Sequence, residues 1–121
     1  MGRGFKTLEV WRLAVTLSVR IIKITERPLF EKKYGLVNQI QRSAVSVPSN
    51  IAEGDERKTD REAVRFFYIA KGSLAELQTQ LIISAEIGLI AEDELAELED
   101  DCRFIAGKLG KLIKSRSENP R

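Results

Sequence analysis

Apolar residues recur at steps of three and four along four separate stretches of this chain, and that rhythm constrains its fold more than any other feature. On a helix of about 3.6 residues per turn, such spacing gathers the residues on one side. The stretch 34–54, YGLVNQIQRSAVSVPSNIAEG, shows it with Leu36, Ile40, Ala44, Val47 and Ile51. A polar stripe runs beside them: Gln39, Arg42, Ser43, Ser46, Asn50 and Glu53. Pro48 lies inside the same helix, where it cannot donate a hydrogen bond to Ala44 and its ring crowds that carbonyl. Ile51 keeps the apolar phase across the proline, so a kinked helix over about 36–53 is expected, with Ser46 or Ser49 offering local compensation. Gly35 is expected to cap this helix at its start and Gly54 to end it.

The first helix is expected over about 7–25. One seam is Leu8, Trp11, Val15, Ser18, Ile22 and Thr25, and a second is Val10, Ala14, Leu17, Ile21 and Ile24. Together they span an apolar arc on the order of 200°, about twice what a surface helix needs. The excess predicts that Val10, Ala14, Leu17, Ile21 and Ile24 meet another copy of the chain. The remaining face carries Arg12, Thr16, Arg20, Lys23 and Arg27. It reads either as a solvated face or as a basic ridge for phosphate.

A third helix is expected over about 60–87, opened by a Thr59/Glu62 capping box and stopped by Gly88. Its stripe is Ala63, Phe66, Phe67, Ala70, Leu74, Leu77, Leu81, Ser84 and Ala85, while Gly72, Ser73 and Ala75 permit close approach of a neighbour. A fourth, over about 92–114, carries Leu95, Leu98, Cys102, Ile105, Leu109 and Leu112. Its acids come first and its bases last, as the helix dipole favours. Phe30 should tuck the 28–33 connection onto the bundle, and residues 1–6 and 115–121 read as a mobile end and a polar tail. The pattern predicts an all-α, up-down-up-down antiparallel four-helix bundle, one domain over 1–121.

Composition narrows the chemistry. Lys plus Arg number 20 against 18 Asp plus Glu, so net charge is only +2 and gives no general affinity for nucleic acid. The chain has no histidine, which removes His-based metal sites and Ser–His or Cys–His nucleophile pairs. The carboxylates Glu53, Asp55 and Glu56 sit at a helix end without an activated nucleophile, so no enzyme, cofactor or metal is expected. Cys102 lies on a core seam and should be inert; Trp11 should be core or interface. No signal peptide or membrane span is visible, so a cytoplasmic protein without membrane association is expected. The polar stripe Gln39, Arg42, Ser46, Asn50 and Glu53 reads as hydrogen bonding between helices or as a groove around Arg42, with Glu76 or Glu53 as that arginine's carboxylate if it is buried.

The stretch 34–54, with AKGSLAELQTQL over 70–81 and Val10-Trp11 upstream, resembles the "four helix bundle protein" family. That family includes proteins encoded within intervening sequences of bacterial 23S ribosomal RNA genes. More distantly the chain resembles the accessory variability proteins of diversity-generating retroelements. The resemblance implies a ring-like homopentamer and a role with RNA or a nucleic-acid-handling protein. Two expectations follow. One is a non-enzymatic homo-oligomeric scaffold acting through protein–protein contacts. The other is an oligomeric nucleic-acid binder using Arg12, Arg20, Lys23, Arg27 and Arg42.

Overall fold

Four long helices account for nearly all of the computed structural model, which describes residues 4–118. They are α1 (Glu9–Thr25), α2 (Tyr34–Asp55), α3 (Asp60–Glu86) and α4 (Glu92–Glu118), with short 3₁₀ turns at Phe5–Thr7 and Pro28–Phe30. No strand occurs among the described residues. α2 packs on α3 and α1, and α3 on α4, while α1 and α4 meet more sparsely.

Local signals explain several boundaries. Thr59 caps α3, its hydroxyl oxygen accepting from the Glu62 amide at 3.2 Å. The Glu62 carboxylate accepts from that same hydroxyl at 3.3 Å. Gly88 follows α3 with φ +84°, the left-handed geometry that favours glycine. Phe30 is 1% exposed and seals the α1–α2 connection against the core.

Other boundaries correct the expectation. α2 begins at Tyr34 after Lys33, so Gly35 lies within its first turn and is not the cap. Gly54 does not end α2 through a positive φ; it lies inside the last turn, buried against α3. α4 continues to Glu118 because Arg116 ties its last turns to Asp55 and Asp60. Of the two ends expected outside helices, residues 1–3 and 119–121 lie beyond the described residues.

The largest correction concerns α1. Val10, Ala14, Leu17, Ile21 and Ile24 are each at most 5% exposed within a single copy. They are this chain's own core, packed with Ile40, Ala44, Val47 and Ile51 of α2, and cannot be an outward oligomer face. Of the other seam, Leu8, Trp11, Val15 and Ile22 lie partly buried along the flank, and Ser18 and Thr25 are buried. Phe5 covers Trp11 edge-on at 5.2 Å between ring centroids. One copy hides most of the wide arc, because the Val10–Ile24 seam faces the core and the Leu8–Thr25 seam lies beside it.

The proline is accommodated from another helix. α2 runs unbroken through Pro48, which leaves the Ala44 carbonyl without its intrahelical donor. The Ser18 hydroxyl of α1 supplies it at 2.7 Å, sharing its proton with Ala14 O at 2.9 Å. Neither Ser46 nor Ser49 makes this bond. Ser18→Ala should destabilise the fold by about 1–3 kcal/mol, since a buried carbonyl loses its partner. In a Pro48→Ala background the restored amide serves Ala44 instead, so the same change should cost about 1 kcal/mol less. Equal costs in both backgrounds, measured by denaturant melts, would show that Ser18 does not compensate the proline.

Candidate functional site

Two cations of the α1 ridge, Arg20 and Arg27, are engaged by α4. Arg27 donates twice to Glu94, at 2.7 and 2.9 Å, in a fork-to-carboxylate pair. Arg20 reaches Glu97 at 2.9 Å and Asp101 at 3.4 Å. Arg12 donates to the Lys6 carbonyl at 3.1 Å, and Lys108 of α4 returns an ion pair to Glu9 at 2.8 Å. Lys23 alone among the ridge cations has no ion pair or hydrogen bond among the described residues. The acidic first half of α4 therefore faces the ridge and neutralises Arg20 and Arg27, two of its four cations.

These pairs also set an acid limb. The hydrogen bond from Arg27 holds the Glu94 carboxyl below its ordinary value of 4.5, against the opposing effect of burial. A depressed folded value means the unfolded state binds the extra proton first. The contribution is therefore present above about pH 4.5 and disappears as pH falls through the lower folded value. Arg27 is half exposed, so the pair contributes less than about 1 kcal/mol. Glu94→Gln should be slightly less stable than wild type at pH 7, and thermal melts of the two should converge toward pH 2.

The polar stripe of α2 divides in two. Ser46, Asn50 and Glu53 are structural. Ser46 Oγ hydrogen-bonds Ser73 Oγ of α3 at 2.7 Å, and Asn50 Nδ2 donates to Ser46 O at 2.8 Å and to its Oγ at 2.9 Å. Glu53 pairs with Arg57 at 2.8 Å. Gln39 and Arg42 instead open into a cleft of about 310 Å³ between α2 and α3, lined also by Ser43, Ser46, Glu76 and Gln80. Arg42 and Glu76 are exposed on facing helices, and neither makes an ion pair among the described residues. Ser43 is 6% exposed, yet its hydroxyl has no partner there. Gln80 Oε1 is buried and also unpartnered.

Arg42 is exposed and takes neither Glu76 nor Glu53 as a partner; the half-buried arginine beside α2 is Arg116 of α4, paired with Asp55 and Asp60. Gln80 had no sequence signal of its own; its i, i+4 spacing from Glu76 was the available clue. Cys102 is fully buried, and burial pushes its thiol up to about 12, so it stays protonated and unreactive. Among the described residues no group of three or more His, Cys, Asp or Glu could hold a metal ion. No helix there is long and apolar enough to cross a membrane.

Two surfaces remain uncovered. On the outer side of α3, Tyr68, Gly72, Ala75, Thr79 and Ile82 repeat at steps of four and three, all exposed, with Ile83 beside them. Between α1 and α4, the partly exposed Leu13 and the exposed Phe104 line a groove of about 190 Å³ with Thr16, Arg20 and Asp101, over the buried Leu17 and Ile105.

No curated protein matches the chain. The family model for the 23S rRNA-intervening sequence protein matches residues 6–111, which takes in α1, α2, α3 and most of α4. On that match, and with four helices arranged as described, the chain belongs to the family of 23S rRNA-intervening sequence proteins.

Proposed function

We propose that this protein is a non-enzymatic scaffold that works as a ring-like homo-oligomer through protein–protein contacts. The observation that carries the reading is the outer stripe of α3. Tyr68 is 57% exposed and Ile82 and Ile83 are 40% and 46% exposed. No charged residue interrupts the row from Tyr68 to Ile82. A helical seam of this regularity is a packing surface, and large exposed apolar patches mark interaction sites. Gly72 and Ala75 in its centre let another backbone approach closely.

The α1–α4 groove is a second and different surface. A ridge on one face and a groove on another allow head-to-tail contacts, which close into rings. Five copies is the number the family resemblance implies. Short connections support helices that alternate in direction, up-down-up-down. With no histidine and with Glu53 and Asp55 engaged by arginines, no catalytic group stands out. We place the protein in the cytoplasm, without a cofactor or metal.

Light scattering after size exclusion at micromolar concentration tests the assembly. Wild type should elute as an oligomer. Ile82→Glu with Ile83→Glu should shift it to monomer while leaving the melt nearly unchanged, because both side chains are exposed. A monomeric wild type rejects the proposal.

Arg42 favours a second reading, an oligomeric RNA-binding protein. It is a cation without an ion pair, set in a polar cleft rather than on the partly neutralised α1 ridge. Copies around a ring would multiply its weak charge. Binding should weaken steeply with salt. Arg42→Glu should abolish it, and titrating structured RNA and duplex DNA at low salt without binding rejects this reading.

A further inference from the structure

The two walls of the α2–α3 cleft differ in hydrogen-bonding sense. The α2 wall presents the Arg42 guanidinium, a fork of donors with no acceptor. The α3 wall presents the exposed Glu76 carboxylate, an acceptor with two oxygens, and one turn on Gln80, whose Oε1 is itself buried. The floor is already fixed. Ser46 is held by Ser73 and Asn50, so it need not rearrange to admit a ligand. Ser43, buried beside it, has an unused hydroxyl.

A ligand that fits this arrangement offers acceptors on one edge and adjacent N–H donors on the other. Guanine does so. Its O6 and N7 accept together from an arginine fork, and its N1–H and N2 amino group donate side by side. Adenine places its amino donor beside N7, where Arg42 would need an acceptor. Cytosine and uracil lack the N7 edge altogether. The cleft, at about 310 Å³, is at the small end of ligand sites. That volume has room for a nucleobase.

We propose that this cleft binds a guanine base, with Arg42 on the O6/N7 edge and the two Glu76 oxygens accepting from N1–H and the N2 amino group. The base could come from a free guanine nucleotide or from an unpaired guanosine in RNA. The second source rests on the RNA-binding reading above; the first does not. Bases read in this way must be unstacked, which restricts RNA targets to single-stranded segments.

Calorimetric titration of the full chain with the 5′-monophosphates of guanosine, inosine, adenosine, cytidine and uridine tests the site. A parallel titration uses uridine oligomers with and without one guanosine. Guanosine monophosphate should bind at least ~10-fold more tightly than the adenosine, cytidine and uridine nucleotides. Inosine monophosphate, which keeps O6, N7 and N1–H but lacks the N2 amino group, should fall between them. Glu76→Gln should erase the guanine–inosine difference and Arg42→Gln should weaken guanosine monophosphate ~10-fold or more. Both residues are exposed, so melts of the variants should match wild type.

Preference for guanosine in the oligomer as well as the mononucleotide supports RNA as a source. Preference in the mononucleotide alone supports a free nucleotide. Binding of every nucleotide and oligomer with equal affinity overturns the guanine site but leaves phosphate-directed RNA binding standing. No binding of any nucleotide or RNA at millimolar concentration overturns both.

Discussion

Arg116→Ala should destabilise the protein by about 3 kcal/mol, because it removes the cation that two largely buried carboxylates share. Arg116 of α4 donates to Asp55 at the end of α2 at 2.8 Å and to Asp60 at the start of α3 at 3.5 Å. Its side chain is only 16% exposed, Asp55 is 12% and Asp60 is 1%. Its guanidinium also stacks 5.5 Å from the centre of the Phe67 ring. One planar cation therefore fastens the last turns of α4 to the α2–α3 corner. Lysine cannot repeat this, having a point charge and no fork, so Arg116→Lys should recover only part of the loss. Replacing both partners, Arg116→Met with Asp60→Asn, should cost less than the sum of the two single changes, by 1 kcal/mol or more on the order of measured couplings. Strict additivity in denaturant melts would show that the pair is not coupled.

Gly54→Ala should cost about 1–2 kcal/mol, although alanine is the better helix former. The propensity gain inside a helix is about 1 kcal/mol. Against it stands a clash. A Cβ at Gly54 would lie 2.8 Å from Phe67 Cε1, 3.0 Å from the Ala63 carbonyl oxygen and 3.0 Å from Phe66 Cβ. Two of these atoms belong to the α3 backbone or its first side-chain carbon and cannot swing away. Phe67 is fully buried and has nowhere to go. Overpacking of this kind costs about 1–3 kcal/mol and occasionally more, so the helices must part. Gly107 of α4 provides the contrast, since a Cβ there would meet nothing within 4 Å. Gly107→Ala should raise stability by up to about 1 kcal/mol. Thermal melts showing the same sign for both glycines would contradict the close approach of α2 and α3.

The two residues belong to one corner. Phe67 touches the position that Gly54 keeps open and also lies under Arg116. By its place near a helix end, Gly54 has the sequence signature of a helix terminator. The need for it came instead from a helix packed across it, and nothing in 34–54 alone reveals that.

The candidate cleft was half legible. Arg42 and Gln39 stood out as polar residues beside an apolar stripe. Their separation from Ser46, Asn50 and Glu53 did not, because it depends on where α3 crosses. Glu76 was visible as a carboxylate, but its role as the wall opposite Arg42 required the rotation of α3 about its own axis.

By itself the sequence determined the four helices, the Thr59 cap, the Gly88 stop and most residues of the core. These follow from spacing and local backbone chemistry, which act within a few residues. Only the tertiary structure decided which seam of α1 faces inward, which hydroxyl serves the carbonyl freed by Pro48, and which cations remain unpaired. Those outcomes depend on how helices far apart in sequence are turned toward one another. An amphipathic helix with two apolar seams can be rotated by a fraction of a turn without changing its pattern, and its neighbours choose the angle.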